Sequence, residues 1–218
     1  MSWLRTFWAS TVGKKTVMAV TGIMLVGFVV AHMLGNLQMF IGAEAMNKYA
    51  ALLKSTGELL WVARAGLLVA AALHITAAYQ LTMINRAARP EGYAKQEPQV
   101  STLASRTMRL GGVILAAFII FHLGHFTTGT FHPAFSETGV YGNVILGLRS
   151  PLVAGFYVLA MAALGLHLFH GAWAGVRTLG LRKRSADPMY RRLSMGLAIV
   201  VWAGFTAIPV AVLLGILN

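Results

Sequence analysis

The sequence contains no cysteine and only 6 acidic residues in 218. The first absence removes disulfides, iron–sulfur ligation, thiolate haem ligation and covalent c-type haem attachment, so any metal centre here must use histidine, methionine or oxygen. Charged residues are also scarce, at 11% against roughly 25% in an ordinary soluble domain. Hydrophobic residues make up 57%, which excludes a soluble globular fold. Lys and Arg number 18. A nucleic-acid binder would spread such an excess over a solvated face, but here the bases cluster between long apolar runs, so no nucleic-acid partner is expected.

Charge-free intervals mark the membrane spans, because a charge at the bilayer centre costs at least ~2.5–3.5 kcal/mol. Five intervals are long enough to cross the hydrocarbon core: residues 16–43, 65–85, 110–136, 150–176 and 193–218. The first runs far past the length of a signal-peptide apolar region and has no convincing cleavage site, so it reads as a retained span. In the third, Thr127-Thr128-Gly129-Thr130-Phe131-His132-Pro133 is turn chemistry, and the helix should stop near Thr128. Pro209 in the fifth predicts a kink rather than an end. A linker-like stretch runs from Arg89-Pro90-Glu91-Gly92-Tyr93 to Pro98, and with no solenoid repeat present the economical reading is one membrane domain over residues 1–218.

Orientation follows from the bases. The N-terminal segment, the 86–109 connection and the 177–192 connection hold 14 of the 18 Lys and Arg, leaving Lys48, Lys54, Arg64 and Arg149 on the other side. The positive-inside rule then makes the N-terminus cytoplasmic and the C-terminus external. The basic loops serve topology alone or also dock an extrinsic cytoplasmic partner.

Six of the seven histidines lie in or near apolar spans: His32, His74, His122, His125, His167 and His170. A lone intramembrane histidine is commonly a packing residue or a proton-relay element, but the first four spans each carry at least one and the fifth has none. At ~1.5 Å per helical residue, His32 stands roughly 25 Å above Lys15, His122 roughly 20 Å above Arg109, His74 about 18 Å from Arg86 and His167 about 15 Å from Arg177. The ordering gives an outer pair, His32 with His122, and an inner pair, His74 with His167. Two pairs at two depths suit bis-histidine ligation of two haems, one imidazole on each face of each porphyrin.

His125 and His170 follow the proposed ligands by three residues, on nearly the same helix face. Either could replace its neighbour as ligand, or donate to a haem propionate or a quinone carbonyl. Gly35, Gly111 and Gly171 lie near the histidine faces and would let a porphyrin edge approach the backbone, unless they serve helix packing. Arg64 would pair a propionate or quinone, or snorkel to the headgroups. Asn36 and Gln38 would bond a quinone or cap a helix end. His132, beyond the third helix, is expected to be a solvated loop residue.

The opening Gly13-Lys14-Lys15-Thr16-Val17-Met18-Ala19-Val20-Thr21-Gly22, with His32-Met33-Leu34-Gly35-Asn36-Leu37, resembles the cytochrome b subunit of succinate:quinone oxidoreductases. More narrowly, it looks like the single-chain, five-helix, two-haem b558 family of succinate dehydrogenases and fumarate reductases. Leu59-Leu60-Trp61-Val62-Ala63-Arg64, Asn85-Arg86-Ala87-Ala88-Arg89-Pro90, Phe121-His122-Leu123 and His167-Leu168-Phe169-His170-Gly171-Ala172-Trp173 extend the likeness across four helices. Helix five matches only as a hydrophobic span.

The resemblance implies an all-α integral membrane protein whose first four helices form a haem-binding bundle, with the fifth peripheral. It implies two b haems, the outer held by helices one and three and the inner by helices two and four. Through Gly171 and Trp173 it selects His167, not His170, as the fourth ligand. It further implies a multi-pass subunit of the bacterial cytoplasmic membrane that passes electrons between an iron–sulfur subunit and quinone, expected to be menaquinone. The flavoprotein and iron–sulfur partners would carry FAD and the clusters and dock on the cytoplasmic face, near Lys14, Lys15, Arg86, Arg89 and Arg182. Nothing resembles a flavin or dicarboxylate site, so this chain contributes no catalytic residue for that chemistry. Outer quinone chemistry would need a proton acceptor, for which Glu44 and Glu58 stand in the right flanks unless they are ordinary interfacial acids. Two other readings are a di-haem b subunit of another dehydrogenase and a histidine-relay, proton-coupled transporter. The transporter predicts intramembrane acids or broken helices, which the first four spans lack.

Overall fold

In a lipid solvent every backbone polar group must be satisfied internally, and apolar runs of this length answer with helices. The computed structural model describes residues 2–88, 102–181 and 183–218, and these form helices and connections without a strand. In chain order the helices are α1 (Ser2–Ala9), α2 (Thr11–Asn36), α3 (Ala43–Ser55), α4 (Glu58–Ala87), α5 (Leu103–Phe126), α6 (Val140–Leu148), α7 (Pro151–Thr178) and α8 (Asp187–Leu213). A 3-10 turn over Leu37–Phe40 extends α2. Five of the helices are long and apolar enough to cross a membrane: α2 with its extension, α4, α5, α7 and α8. Their outward side chains are the large apolar ones, such as Leu152 at 85% exposure and Ile120 at 69%. Surfaces of this kind belong against lipid.

The helix ends carry the expected chemistry. Ser10 Oγ accepts the Gly13 N–H at 2.9 Å to start α2, and Thr102 Oγ1 accepts the Ser105 N–H at 3.2 Å to start α5. Pro151 opens α7, where a missing N–H costs nothing. Gly180, at φ 72°, ends it by placing the Leu181 N–H on the Val176 carbonyl at 3.1 Å. The third span stops at Phe126, beside the turn chemistry at Thr127 and Thr128. Helix starts overrun the charge-free intervals: α4 begins at Glu58, α5 begins at Leu103 ahead of Arg106 and Arg109, and α8 begins at Asp187 and passes through Arg191 and Arg192. A charge-free interval measures the hydrocarbon core, whereas the helix continues through the headgroup layer where long basic side chains reach water. The helix of α8 runs on through Pro209 to Leu213.

Helix α1, ahead of the first span, and two short helices at the far end, α3 and α6, are elements that the apolar intervals do not mark. Helices α3 and α6 are bound to each other where the Tyr141 N–H donates to Asn47 Oδ1 at 3.0 Å. Lys54 Nζ donates to the Glu137 carbonyl of the preceding loop. With Phe118, Tyr157 and Ile208 they enclose the larger of two apolar cores.

The fifth span is not peripheral. Helix α8 packs more extensively against α7 than any other pair of helices does, and it also reaches α2. Val201 is fully buried in a second core with Met33, Leu168 and Ala198. Small residues make this possible: a Cβ on Gly165 would stand 3.3 Å from Trp202, and one on Gly204 would stand on the Met33 side chain. The peripheral placement came from the resemblance, which matched this helix only as a hydrophobic span and so carried no information on how it packs.

Candidate functional site: two histidine pairs between helices

Four helices bring four half-buried histidines together in twos. His32 on α2 faces His122 on α5 with ring centres 5.8 Å apart and planes 80° apart. His74 on α4 faces His167 on α7 at 6.2 Å and 58°. The second pair lies nearer the basic end, where His74 touches Thr21 of α2. Eleven residues of α2 separate Thr21 from His32, so the two levels stand roughly 16 Å apart.

Hydrogen bonds orient the rings. The Nδ1–H of His74 donates to the Met18 carbonyl at 2.9 Å, and Thr21 Oγ1 lies 3.3 Å from the same nitrogen. A carbonyl can only accept, so the proton sits on Nδ1 and Nε2 keeps its lone pair. Gly22 permits this approach, since a Cβ there would stand 3.3 Å from His74 Cε1. Met18, Thr21 and Gly22 all fall in the stretch that carries the family resemblance, but nothing in the sequence assigned any of them a role beside His74. His167 Nδ1 is buried and has no hydrogen-bond partner among the described residues.

At the other level, His122 Nδ1 lies 3.3 Å from the hydroxyl of Tyr157, which also meets His125 Nδ1 at 3.0 Å. His32 is stacked on Phe28 at 5.2 Å and flanked by Phe205 of α8 at 5.8 Å. His125 points into the far-end core: it is 1% exposed, stacked 4.0 Å from Phe126 and pressed against Gly147 of α6.

His132 is not a solvated loop residue. Its Nδ1 accepts the Ala134 N–H at 3.0 Å and its Nε2–H donates to the Asn143 carbonyl at 2.8 Å, holding the 127–139 loop on α6. Its ring lies 5.3 Å from that of His125. Turn composition predicted the loop but not this tertiary partner.

The remaining polar candidates divide. Arg64 lies over the Trp61 ring at 5.0 Å, a cation–π contact at the far end of α4. Asn36 Nδ2 donates to the His32 carbonyl at 2.7 Å, which is helix-end chemistry. Glu44 pairs with Lys48 at 2.7 Å with both side chains solvated, and Glu58 is exposed in the first turn of α4. Gly35 makes room for Tyr49 of α3, Gly111 faces the Ala163 carbonyl at 3.9 Å, and only Gly171 opens on free space. Gly35 and Gly111 therefore serve helix packing.

At the basic end, Lys14 is 6% exposed, and its Nζ donates to the carbonyls of Trp8 and Ala9 at 2.6 and 3.0 Å. It closes the end of α1 and is withdrawn from any docking surface. Lys15 and Arg86 are exposed, while Arg89 and Arg182 and the linker-like stretch 89–98 lie outside the described residues. A cleft of about 530 Å³ is lined by Lys15, His170, Trp173 and Arg177, and another of about 390 Å³ by Trp173, Asp187, Arg191 and Arg192. Arg177 and Arg191 lie 5.0 and 5.9 Å from the Trp173 ring. His170 Nδ1 and Trp173 Nε1 are buried without hydrogen-bond partners among the described residues.

Comparison of the chain with protein-family models, with curated proteins and with solved structures finds no match. The geometry therefore carries the functional reading together with the residues themselves.

Proposed function

We propose that this chain is the membrane-anchor cytochrome b subunit of a succinate:quinone oxidoreductase, holding two b haems between the paired histidines and passing electrons between an iron–sulfur subunit and quinone. The carrying observation is the spacing of the pairs, 5.8 and 6.2 Å between ring centres. A metal–imidazole bond of about 2 Å plus about 1 Å from nitrogen to ring centre, on each side of one iron, gives about 6 Å.

The donor chemistry fits as well. His74 keeps an unprotonated Nε2, because Met18 holds its other nitrogen. His167 Nδ1 has no hydrogen-bond partner among the described residues, so nothing there ties up either ring nitrogen. When bound, a bis-histidine haem supplies one-electron transfer without an open coordination site. His32 and His122 would hold one group and His74 and His167 the other, while Phe28 and Phe205 exclude water from the His32 side.

The protein's own residues also suit the two ends of an electron path. The basic end is read as cytoplasmic, in the bacterial inner membrane, with Lys15 and Arg86 offering exposed charge to the iron–sulfur subunit. The buried Nε1–H of Trp173 and Nδ1 of His170, beside a basic cleft, suit a carboxylate or a quinone carbonyl. The quinone is read as menaquinone from the resemblance alone.

The test is a reduced-minus-oxidised visible spectrum and a haem count on the purified chain, then recovery of partners from gently solubilised membranes. Two b haems per chain with a flavin-bearing partner is the expected result. A haem-free chain overturns the redox reading. Two haems with a flavin-free dehydrogenase partner would reassign the chain to another respiratory complex.

A further inference from the structure

The hydroxyl of Tyr157, near the start of α7, lies between two histidines one turn apart on α5. His122 and His125 both turn Nδ1 toward that oxygen, at 3.3 and 3.0 Å. Neither the tyrosine nor His125 has room to move. Tyr157 is 7% exposed and meets Phe118 edge-on at 4.9 Å, and His125 is sealed by Phe126 and Gly147.

A hydroxyl has one proton to give and can receive on its lone pairs. Two imidazoles on one hydroxyl oxygen cannot both take its proton, so at least one must donate to it. With Nδ1 of His122 engaged at Tyr157, Nε2 is the nitrogen left for the His32 side. We propose that Tyr157 is a positioning residue for His122. Its oxygen accepts the His122 Nδ1–H, fixing the tautomer with Nε2 unprotonated, and its own O–H goes to His125 Nδ1, the shorter of the two contacts. This inference rests on the bis-histidine haem reading above.

His125 thereby acquires a role unlike that of a spare ligand. By taking the tyrosine's only proton it stops the hydroxyl from donating to His122, a bond that would put the His122 proton on Nε2 and block ligation. On the other level the Met18 carbonyl does for His74 what Tyr157 does for His122, with no need for a proton sink, because a carbonyl cannot donate. Hydrogen bonding at the second nitrogen raises the basicity of an axial imidazole. A more basic ligand favours ferric over ferrous iron, so Tyr157 lowers the potential of the haem at its own level only.

The test is a redox titration of the full chain carrying Tyr157→Phe, which keeps the ring and removes the oxygen. The haem on the His32 and His122 level should lose about tenfold in ferric preference, a rise of ~59 mV for one electron, while the other haem stays fixed. If Tyr157→Phe fails to accumulate, 3-fluorotyrosine placed at 157 keeps the shape and weakens the oxygen as acceptor, and a smaller rise at the same haem is expected. Unmoved potentials in a variant that retains both haems, or equal shifts at both, overturn the inference and leave the haem reading standing. A wild-type chain without haem overturns both.

Discussion

The rings of His74 and His167 face each other across the gap between α4 and α7 at 6.2 Å, yet only His74 has its Nδ1 tied to backbone, by the Met18 carbonyl. His167 Nδ1 is orphaned, and His170, one turn further along α7, turns to the basic cleft with Trp173 instead. The two histidines of α7 therefore differ in surroundings although they differ little in sequence context.

That difference sets the first expectation. On the proposed bis-histidine reading, His167→Ala should reduce the haem content from two per chain to one, while His170→Ala keeps two. A pyridine haemochrome assay on both purified variants measures this directly. Equal loss from both would overturn the ligand assignment.

Gly22 is the contact that lets His74 approach α2. A Cβ there would lie 3.3 Å from the imidazole, so the larger Gly22→Val should push the ring off the Met18 carbonyl. Haem at the His74 level should fall while the other is retained. The two would be told apart by their separate waves in a redox titration. Full retention of both would mean the ring can give way.

Gly147 presses on His125 in the same manner, but more tightly. An added methyl would come within 2.7 Å of His125 Nε2 and 2.9 Å of Phe126. Overpacking of a tight core costs typically ~1–3 kcal/mol, so Gly147→Ala should lower the thermal midpoint of the detergent-solubilised chain. An unchanged midpoint would show that α6 can slide away.

Lys14 ties α1 to the first span through the carbonyls of Trp8 and Ala9. Hydrogen bonds from a charged donor are worth about 1.5–3 kcal/mol. Lys14→Met should therefore free α1 and make cleavage before Val12 faster under limited proteolysis, with haem content unchanged. If cleavage is unchanged, the helix is held by its apolar face instead.

Six-coordinate iron leaves no site for an added ligand. Carbon monoxide should leave the spectrum of the dithionite-reduced chain unaltered. In the His167→Ala variant any haem that remains at that level should bind it, shifting the Soret band. Binding by the wild type would mean that at least one histidine pair does not ligate from both sides.

How much of this was legible in one dimension can be argued from particular residues. The five spans were, because the cost of burying charge acts on each residue separately and leaves its mark as an uninterrupted apolar run. The order of the histidines in height was legible too, since helix rise converts residue counts into height, but roughly 20 Å for His122 and about 18 Å for His74 barely separate two levels that the fold sets roughly 16 Å apart. Helix boundaries were less legible, as the entry of α8 across Arg191 and Arg192 shows. Arginine is tolerated there by reaching water, and a count of charges cannot see reach.

What the sequence determined, then, was the solvent, the number of spans and the order of the histidines in height, all properties of single residues or of a single helix. The tertiary structure alone decided that Tyr157 stands between two histidines, that Gly35 is filled by Tyr49, that Lys14 is used up inside the fold and that α8 packs into the bundle. The physical reason is rotation. Height along a helix is counted in residues, but the direction a side chain faces relative to another helix depends on how the two are turned against each other, and that is fixed only when small and large side chains interlock.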